Sequence, residues 1–598
     1  MPGLTLVHRT EAPVDAGSVR ASLAATPSTD VSPDLSHELL YKTQHTVLAV
    51  SHYRGYPWRW IETERFQIAL EGHVYDLASP VAESLVGMAD RILGASSIPH
   101  AAASWLPTVD GDFVLWTRAK DSGRMVLLND MLGRLPLYTL AGPSQSGETV
   151  VSRSVQMVAH WTETHRPDRQ AMAETLLFGY PLSTRTLFEG IRRLDPATAV
   201  LPRTHAVASV SDPLRQTRPF RHRSLDANAH LLANRFRGAC ERRADAASAP
   251  VLGLSGGLDS RAVLAGLHQS SGADSLRATT FVRPDGSDAE DAAYAESLAD
   301  LFGVPWSSFP IASPSADSQR TLLHLKGGLN SLEYSFMVDV LRSVRSRFGS
   351  EATLFTGDGG DKMVPDLRPA PSLPDAPSFL DHLLRRQGQM PLKTVTAVVG
   401  LEQDDLADAL LSHVTAYTTS TWEDRYAEFL LRERALSGFV EGEDRNRHFL
   451  WHIAPFYAWP VVSLSLKIPP KQKSYDRLYS AFLRVLTSET HSVPRSNHAS
   501  ARPGSLLYQL VVRTRHVVHQ FPRLHNSLRA LLRNQEPTDI DPDLASRIRV
   551  KANRVPAIGT YLSASALNKV LADELPATRG GIYSLLTLAS FLETYIQG

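Results

Sequence analysis

Two glycine-rich stretches carry acidic side chains at spacings that suit phosphate and metal chemistry. The first, SGGLDS at residues 255–260, follows a short apolar run and precedes the stretch RAVLAGL. This pattern predicts a buried strand, a tight turn and the start of a helix, where converging N–H groups and the helix dipole favour an anion. The carboxylate of Asp259 beside an anion site is explained if Mg²⁺ lies between it and a polyphosphate.

The second stretch, TGDGGD at residues 356–361, follows another apolar run. Its carboxylates, Asp358 and Asp361, are three residues apart and could face a single metal–phosphate complex. Alone, such a string is more typical of a solvated Asp/Gly turn. Paired with SGGLDS about a hundred residues earlier, it favours a shared site.

Alternating strands and helices are predicted around both stretches. We expect strands near 251–254, 276–282, 306–311 and 352–356, and helices near 225–246, 261–268, 288–302 and 332–348. This alternation predicts an α/β domain with a doubly wound parallel sheet, which places both loops at the carboxyl ends of strands. From residue 377 onward the pattern is mostly helical.

The sequence before residue 212 is rich in short strand patterns, with helices predicted at Val81–Gly94 and Arg169–Phe178. Residues 1–44 are rich in Ser, Thr, Asp and Pro, which predicts a partly ordered segment. We therefore divide the chain into that segment, a sheet-rich domain over 45–212 and a site-bearing domain over 213–598.

Composition excludes several classes of protein. A chain of 598 residues is too long for a single hydrophobic core, so we expect at least two domains. A content of 43% hydrophobic and 21% charged residues is typical of a globular protein. Lys+Arg and Asp+Glu both number 62, so the chain has no net charge that would attract nucleic acid or a membrane surface. The only cysteine, Cys240, excludes a disulfide framework and a cysteine metal cluster. Because no signal or spanning segment is recognised, we expect a cytoplasmic location.

SGGLDS resembles the pyrophosphate-binding loop of ATP pyrophosphatases, and further motifs make the chain similar to the asparagine synthetase B family over roughly residues 45–500. These motifs are EGHVYDL at 71–77, LLNDMLGRLPLYTL at 127–140 and TLFEGIRRLDPATAVL at 186–201. The resemblance implies an N-terminal-hydrolase-like αββα sandwich (glutaminase-like) followed by an ATP-pyrophosphatase-type synthetase domain.

The resemblance also implies ATP and Mg²⁺ and assigns roles to matching positions. Those for nucleotide binding are Leu254, Ser255, Gly256, Gly257, Asp259, Ser260, Val282, Thr356 and Gly357. Asp259 and Asp361 match the metal ligands, and Asp358 matches the group that helps deprotonate the attacking nitrogen. The family's lysine near the reacting carboxylate has no clear match; Lys471, Lys473, Arg495 and Arg502 are candidates, of which Lys473 and Arg495 are the catalytic residues we predict.

Three departures from the family narrow the expected function. Pro2 stands where glutamine-dependent members have their nucleophilic cysteine, and Cys240 lies in the other domain, so we expect no glutaminase activity. Asp358 replaces Glu or Tyr, and Lys362 replaces an acidic residue. WHIAPF at 451–456 replaces a charged motif within an aromatic cluster: Phe449, Trp451, Phe456, Tyr457 and Trp459. Such a cluster is more often core, although it also suits an enlarged apolar cavity.

These departures resemble those of the lasso peptide macrolactam synthetases, to which the C-terminal stretch ATRGGIYSLLTLASFLETYI is also similar. The resemblance implies AMP-forming activation of an Asp or Glu side chain in a precursor peptide, ring closure by its N-terminal amine, and partners in a leader peptidase and a leader-binding protein. A small-molecule amide or β-lactam synthetase, an ammonia-dependent asparagine synthetase and a non-catalytic scaffold remain open. His448 and His452 are candidate acid–base groups, but buried structural histidines are commoner.

Overall fold

The fold was analysed in a computed structural model. The structure describes residues 1–25, 34–77, 80–141, 147–163, 166–215, 220, 222–270, 275–283, 285–311, 313–495, 505, 507, 508, 510–514 and 542–596. Within these residues no helix combines the length and apolar character needed to cross a membrane.

The N-terminal part is built from two antiparallel sheets. Its strands are β1 (Gly3–Arg9), β2 (Ser36–Lys42), β3 (Thr46–His52), β4 (Trp58–Glu62), β5 (Phe66–Val74), β6 (Gly111–Ala119), β7 (Met125–Asn129), β8 (Tyr138–Leu140), β9 (Glu148–Ser152), β10 (Ile191–Arg193), β11 (Thr198–Leu201) and β12 (Ala206–Ser209). One sheet has the order β10-β8-β9-β1-β3-β2, and the other has the order β12-β11-β7-β6-β5-β4. The accompanying helices are α1 (Ala16–Ala25), α2 (Val81–Gly94), α3 (Ile98–Trp105), α4 (Val155–Trp161) and α5 (Arg169–Phe178).

Strand alternation explains the four layers. Successive side chains of a strand point to opposite faces. Leu6 of β1 and Trp116 of β6 therefore lie in the core between the sheets, whereas their neighbours face outward. Val7 packs with α1, α4 and α5, and Leu115 packs with α2 and α3. The result is a helix–sheet–sheet–helix sandwich.

Residues 1–44 differ from the sequence prediction. Instead of a partly ordered segment, β1 pairs with both β3 and β9 inside the first sheet, and α1 and β2 follow it. The Ser/Pro-rich average of this stretch concealed the apolar run in GLTLVHR, in which Leu4, Leu6 and Val7 are buried. The boundary at 212/213 remains a prediction; β12 ends at Ser209, and the next helix begins at Leu225.

The predicted doubly wound sheet is present. Its elements are α6 (Leu225–Asp245), β13 (Ala249–Gly253), α7 (Leu258–Ser270), β14 (Arg277–Val282), α8 (Ala289–Leu301), β15 (Trp306–Pro310), α9 (Ala316–Lys326), α10 (Phe336–Phe348) and β16 (Ala352–Phe355). With a fifth strand, β17 (Trp451–Ile453), all strands are parallel in the order β15-β14-β13-β16-β17. Helices α6–α8 cover one face, and α9 and α10 cover the other.

The edge strand β17 (Trp451–Ile453) interrupts a mainly helical remainder and was not predicted. The other elements are α11 (Gly360–Met363), α12 (Ala376–Gln387), α13 (Leu392–Val399), α14 (Gln403–Thr415), α15 (Trp422–Phe429), the π-helical segment Leu430–Phe439, α16 (Val440–Asn446), α17 (Trp459–Ser465), α18 (Pro470–Lys473), α19 (Arg477–Leu486), α20 (Pro542–Arg554), α21 (Pro556–Tyr561), α22 (Ala564–Leu571) and α23 (Arg579–Tyr595).

Buried ion pairs fix α16 between the two parts of the chain. Asp444 of α16 pairs with Arg153 from the sandwich and with Lys326 of α9, whose Nζ is 2.5 Å from Asp444 Oδ2. Lys326 also lies 2.7 Å from Glu441, which accepts a hydrogen bond from Tyr138 of β8. Although burial opposes it, the charges of Arg153 and Lys326 hold the pKa of Asp444 well below its usual range. The position of α16 therefore depends on the sandwich.

Replacing this carboxylate is expected to destabilise the protein strongly. Asp444→Asn removes the anion that Arg153 and Lys326 share and leaves each buried cation with one other carboxylate partner, Glu71 and Glu441 respectively. Breaking a buried pair costs about 3–5 kcal/mol. The free energy of unfolding in urea, followed by circular dichroism, measures the loss. Asp317→Asn on α9 is the control, because that carboxylate is 60% exposed and should matter little. An unfolding curve for Asp444→Asn that coincides with that of the control would contradict this account.

Candidate active site at the switch point of the parallel sheet

The loop at 255–260 leaves β13 and turns directly into α7. The hydroxyl of Ser260 closes the turn by donating to the carbonyl of Ser255 (3.0 Å), and Ser255 Oγ in turn accepts from the N–H of Gly257 (3.3 Å). The N–H of Gly256 donates to a carboxylate oxygen of Asp291 (3.1 Å). The N–H of Gly256 therefore meets an anionic oxygen, and phosphate binding by this loop stays a prediction.

Arg261 stabilises this loop through hydrogen bonds to its backbone, a role that the sequence analysis missed. Its buried guanidinium donates to the carbonyls of Gly256 (2.8 Å) and Gly257 (3.0 Å) on one side, and to those of Thr490 and Val493 on the other. Burial lowers its pKa to about 10, so the group is cationic at neutral pH. The sequence signal was an arginine that directly precedes the apolar run AVLAGL in this helix.

The second loop, at 356–361, follows β16, the strand next to β13, so that the two loops touch. A Cβ added at Gly357 would lie 2.6 Å from the backbone nitrogen of Ser260. One added at Gly360 would lie 2.5 Å from Oδ1 of Asp259. Only glycine permits this approach. The sheet order reverses between β13 and β16, which is where open α/β sheets bind ligands.

Asp259 and Asp361 lie close enough to affect each other. Burial and the charge of Asp361 raise the pKa of Asp259 to about 7, and Tyr479 of α19 donates a hydrogen bond to Asp259 Oδ1. Asp361 is about half exposed and pairs with Lys362. A pair of carboxylates beside a phosphate-type loop fits Mg²⁺, which uses one or two carboxylates together with phosphate oxygens and water.

Asp358 is connected through Thr356 to a buried histidine, His452, which lies in the unpredicted strand β17. The hydroxyl of Thr356 donates to Asp358 Oδ2 (2.7 Å) and lies 2.9 Å from Nε2 of His452 in β17. Burial lowers the pKa of His452 to about 4, so its ring is neutral at pH 7. Although partial loss of hydration opposes it, hydrogen bonds from His452 and Thr356 keep the pKa of Asp358, whose side chain is about half exposed, below its usual value. Asp358 is therefore ionised and able to accept a proton.

Of the four candidate cations, Arg502 lies outside the described residues. The two that we predicted to be catalytic, Lys473 and Arg495, occupy different surroundings. Arg495 pairs with Asp476 (3.5 Å) and donates to Tyr508 (2.7 Å), and its charge helps to lower the pKa of Asp259. Lys473 donates to the hydroxyl of Ser465 (2.8 Å), and burial lowers its pKa to about 8. Arg495 is thus near the first loop, whereas Lys473 lies in a separate cavity of about 280 Å³.

The remaining nucleotide-binding candidates lie at the ends of adjacent strands. Leu254 is buried after β13 and bonds through its N–H to the carbonyl of Thr279 (2.8 Å). Val282 ends β14 and is half-buried. Together with Thr356 and Gly357 they border the same carboxyl edge of the sheet.

The aromatic cluster is core rather than a cavity lining. Phe449, Trp451, Phe456 and Tyr457 are buried. Trp459 donates from its indole to the carbonyl of Pro107 in the sandwich (2.9 Å).

The cavity next to Asp358 has a volume of about 370 Å³ and is instead lined by Phe178, Tyr180, Tyr334 and Phe439 among others.

Cys240 is not a nucleophile for this site. It is buried in α6 against Gly266, and burial raises the pKa of its thiol to about 12. A thiol that stays protonated at neutral pH is a weak nucleophile.

Together, these elements form a parallel α/β domain in which two glycine-rich loops, the carboxylates of Asp259 and Asp361, and a cavity lie at one edge of the sheet. Residues 231–496 match the family model described as Asparagine synthase. This region is therefore asparagine synthase-like, which supports an ATP-dependent carbon–nitrogen ligase in general terms. The comparison with curated proteins gave no match.

Solved structures share only distant similarity with the chain. A glutamine-dependent NAD⁺ synthetase from Acinetobacter baumannii in complex with ADP is 17% identical, with a TM-score of 0.18 over 32% of this chain and 41% of that chain. A glutamine phosphoribosylpyrophosphate amidotransferase from B. subtilis complexed with ADP and GMP is 10% identical, with a TM-score of 0.23 over 61% and 83%. The chain thus spans less than half of the synthetase, and these TM-scores carry no argument about fold or function.

Proposed function

We propose that the protein is an AMP-forming amide ligase that activates a side-chain carboxylate of a peptide and closes a macrolactam with the peptide's own amine. The observation that carries the ligase chemistry is the contact between two loops at the switch point, with Asp259 and Asp361 on one side and Asp358 facing the cavity. The asparagine synthase match over residues 231–496 supports the same reaction class.

The first half-reaction belongs to the loop at 255–260. Its N–H and hydroxyl groups bind the pyrophosphate part of ATP, while Leu254 and Val282 border the adenosine. Asp259 and Asp361 would hold Mg²⁺, which when bound neutralises charge on phosphate oxygens. The substrate carboxylate attacks the α-phosphorus, the bond to the bridging oxygen breaks, and pyrophosphate leaves with that electron pair.

The second half-reaction takes place beside Asp358. The amine attacks the acyl carbon of the adenylate, Asp358 accepts the proton that the nitrogen loses, and AMP leaves with the electron pair of the acyl–oxygen bond. His452 and Thr356 orient the carboxylate through the hydrogen bonds described above. Arg495 or Lys473 would stabilise charge on the reacting carbonyl, of which Arg495 is nearer the first loop.

A peptide substrate is supported by the departures from the asparagine synthetases and by the cavity. Its volume of about 370 Å³ lies within the ~300–1,000 Å³ typical of ligand sites. Tyr334 and Phe439 at its lining are 43% and 37% exposed, so an apolar segment has surfaces to contact. We further propose that a leader peptidase and a leader-binding protein deliver the substrate and that the reaction takes place in the cytoplasm.

Mass spectrometry of the full chain with ATP and Mg²⁺ tests the proposal. Leaderless peptides with an internal Asp or Glu are offered alongside aspartate with ammonium or with glutamine. We expect one peptide to lose one water in an ATP-dependent reaction that forms AMP. Asparagine as the product would overturn the peptide substrate and leave the ligase. AMP from no substrate, also when the two partner proteins are supplied, would overturn the ligase itself.

A further inference from the structure

The cavity beside Asp358 contains a buried guanidinium that the reaction above does not use. Arg445 of α16 is only 6% exposed and lines this cavity. It donates to amide oxygens of Asn330 (2.9 Å) and Asn446 (2.8 and 3.2 Å). These bonds use three of its five N–H groups. Among the described residues it forms no ion pair, which is unusual because buried cations are normally paired with an anion.

A second cation lies in the same cavity. Arg434 belongs to the π-helical segment Leu430–Phe439; such segments are rare and frequently occur at functional sites. Its guanidinium donates to the amide oxygen of Gln387 (2.6 Å) and lies 5.2 Å from the ring centre of Phe439. Within the described part of the chain it too lacks a carboxylate partner. Two guanidinium groups therefore line one cavity, and their hydrogen-bond acceptors among the described residues are amide oxygens.

The charged groups near Arg445 show that it lies closer to Asp358 than to the loop at 255–260. Burial lowers the pKa of Arg445 to about 10, and the charge of Asp358 opposes that shift. Asp259, in contrast, is influenced by Asp361, Arg495 and Lys362. Arg445 therefore lies on the side of the proton acceptor, away from the phosphate loop.

We propose that this cavity is a carboxylate-binding subsite for the amine-bearing part of the substrate. The two remaining N–H groups of Arg445 bind a carboxylate that is not activated, and Arg434 adds a second positive charge. An apolar or aromatic group next to that carboxylate contacts Tyr334 and Phe439. The proposal rests on the proposed function because it assigns the amine to the Asp358 side.

Binding measured without ATP tests the subsite separately from catalysis. The probes are the dipeptides Asp-Phe-amide and Asn-Phe-amide, which share an amine and an aromatic ring and differ in one carboxylate. Isothermal titration calorimetry on the full chain should show at least about ten-fold tighter binding of Asp-Phe-amide, because a hydrogen bond to a charged group contributes at least one such factor. Equal affinities, or binding of neither dipeptide at millimolar concentration, would overturn the proposal.

Two variants assign the preference to Arg445. Arg445→Gln should remove the preference, and Arg385→Gln on the exposed end of α12 should leave it unchanged. Asn330→Asp places a carboxylate of the same size next to Arg445. Because this internal carboxylate pairs with the guanidinium, it should also remove the preference for Asp-Phe-amide over Asn-Phe-amide. Persistence of the preference in folded Asn330→Asp protein would overturn the assignment. ATP–pyrophosphate exchange by the wild type tests the ligase itself, so the two failures are distinguishable.

Discussion

Asp259→Asn is expected to abolish both half-reactions, lowering AMP formation by about a thousand-fold or more. The reason is that a neutral amide cannot replace a carboxylate that holds a divalent cation against phosphate oxygens, and the cation is worth several kcal/mol to the transition state. ATP–pyrophosphate exchange with the peptide substrate measures the effect. The substitution keeps the size of the side chain, and the amide oxygen can still accept a hydrogen bond from Tyr479.

The matched control for this prediction is Asp300→Asn. Asp300 is exposed in the last turn of α8, outside both loops, so its replacement should leave exchange unchanged. Both variants are first compared by circular dichroism to show that the fold is intact. Exchange by Asp259→Asn within ten-fold of the wild type would contradict the assigned role and would move the metal site elsewhere.

The strand–turn–helix arrangement around the loop at 255–260 was predictable because it is local in sequence. Strand, glycine turn and helix start follow one another in sequence, and the structure has β13, the loop and α7 in that order. The contact between the two loops followed from topology, since parallel strands bring their carboxyl ends to one edge. Gly357 and Gly360 are required at their positions because the first loop lies against them. The sequence of the second loop alone does not show this contact.

The cavity was not predictable because distant segments build it. Phe178 and Tyr180 come from the sandwich, Asn330 from the turn after α9, and Arg434 and Arg445 from the segments around α16. The aromatic cluster near 451–459 was the visible signal, but those side chains fill the core. Composition also concealed β1 and β17, which are short and are recognised as strands only once their neighbours are known. His452 owes its contact with Thr356 to β17.

The N-terminal sandwich has a structural role through its contacts with α16. Arg153 and Tyr138 of the sandwich hold α16 through Asp444 and Glu441. The same short helix carries Arg445 into the cavity. The sandwich is therefore required for the structure of the candidate site, since removal of its ion pairs would displace α16, which forms one wall of the cavity.

Asp358→Asn is expected to separate the two half-reactions. Amide formation should fall by about a thousand-fold, because a positioned general base contributes ~10²–10⁴-fold. ATP–pyrophosphate exchange should stay within about ten-fold of the wild type, because adenylation requires no proton transfer to this side chain. Single-turnover mass spectrometry should therefore detect accumulating acyl-adenylate in place of the cyclic product.

This separation distinguishes a base from a metal ligand on the same loop. If Asp358 held the cation, its replacement would stop exchange as Asp259→Asn does, and no adenylate would accumulate. If Asp358 only stabilised the turn, its replacement would lower the rates of both half-reactions and would also lower the unfolding temperature. A proton acceptor on the cavity side leaves the first half-reaction intact, because Asp358 lines the cavity and accepts a hydrogen bond from Thr356 there.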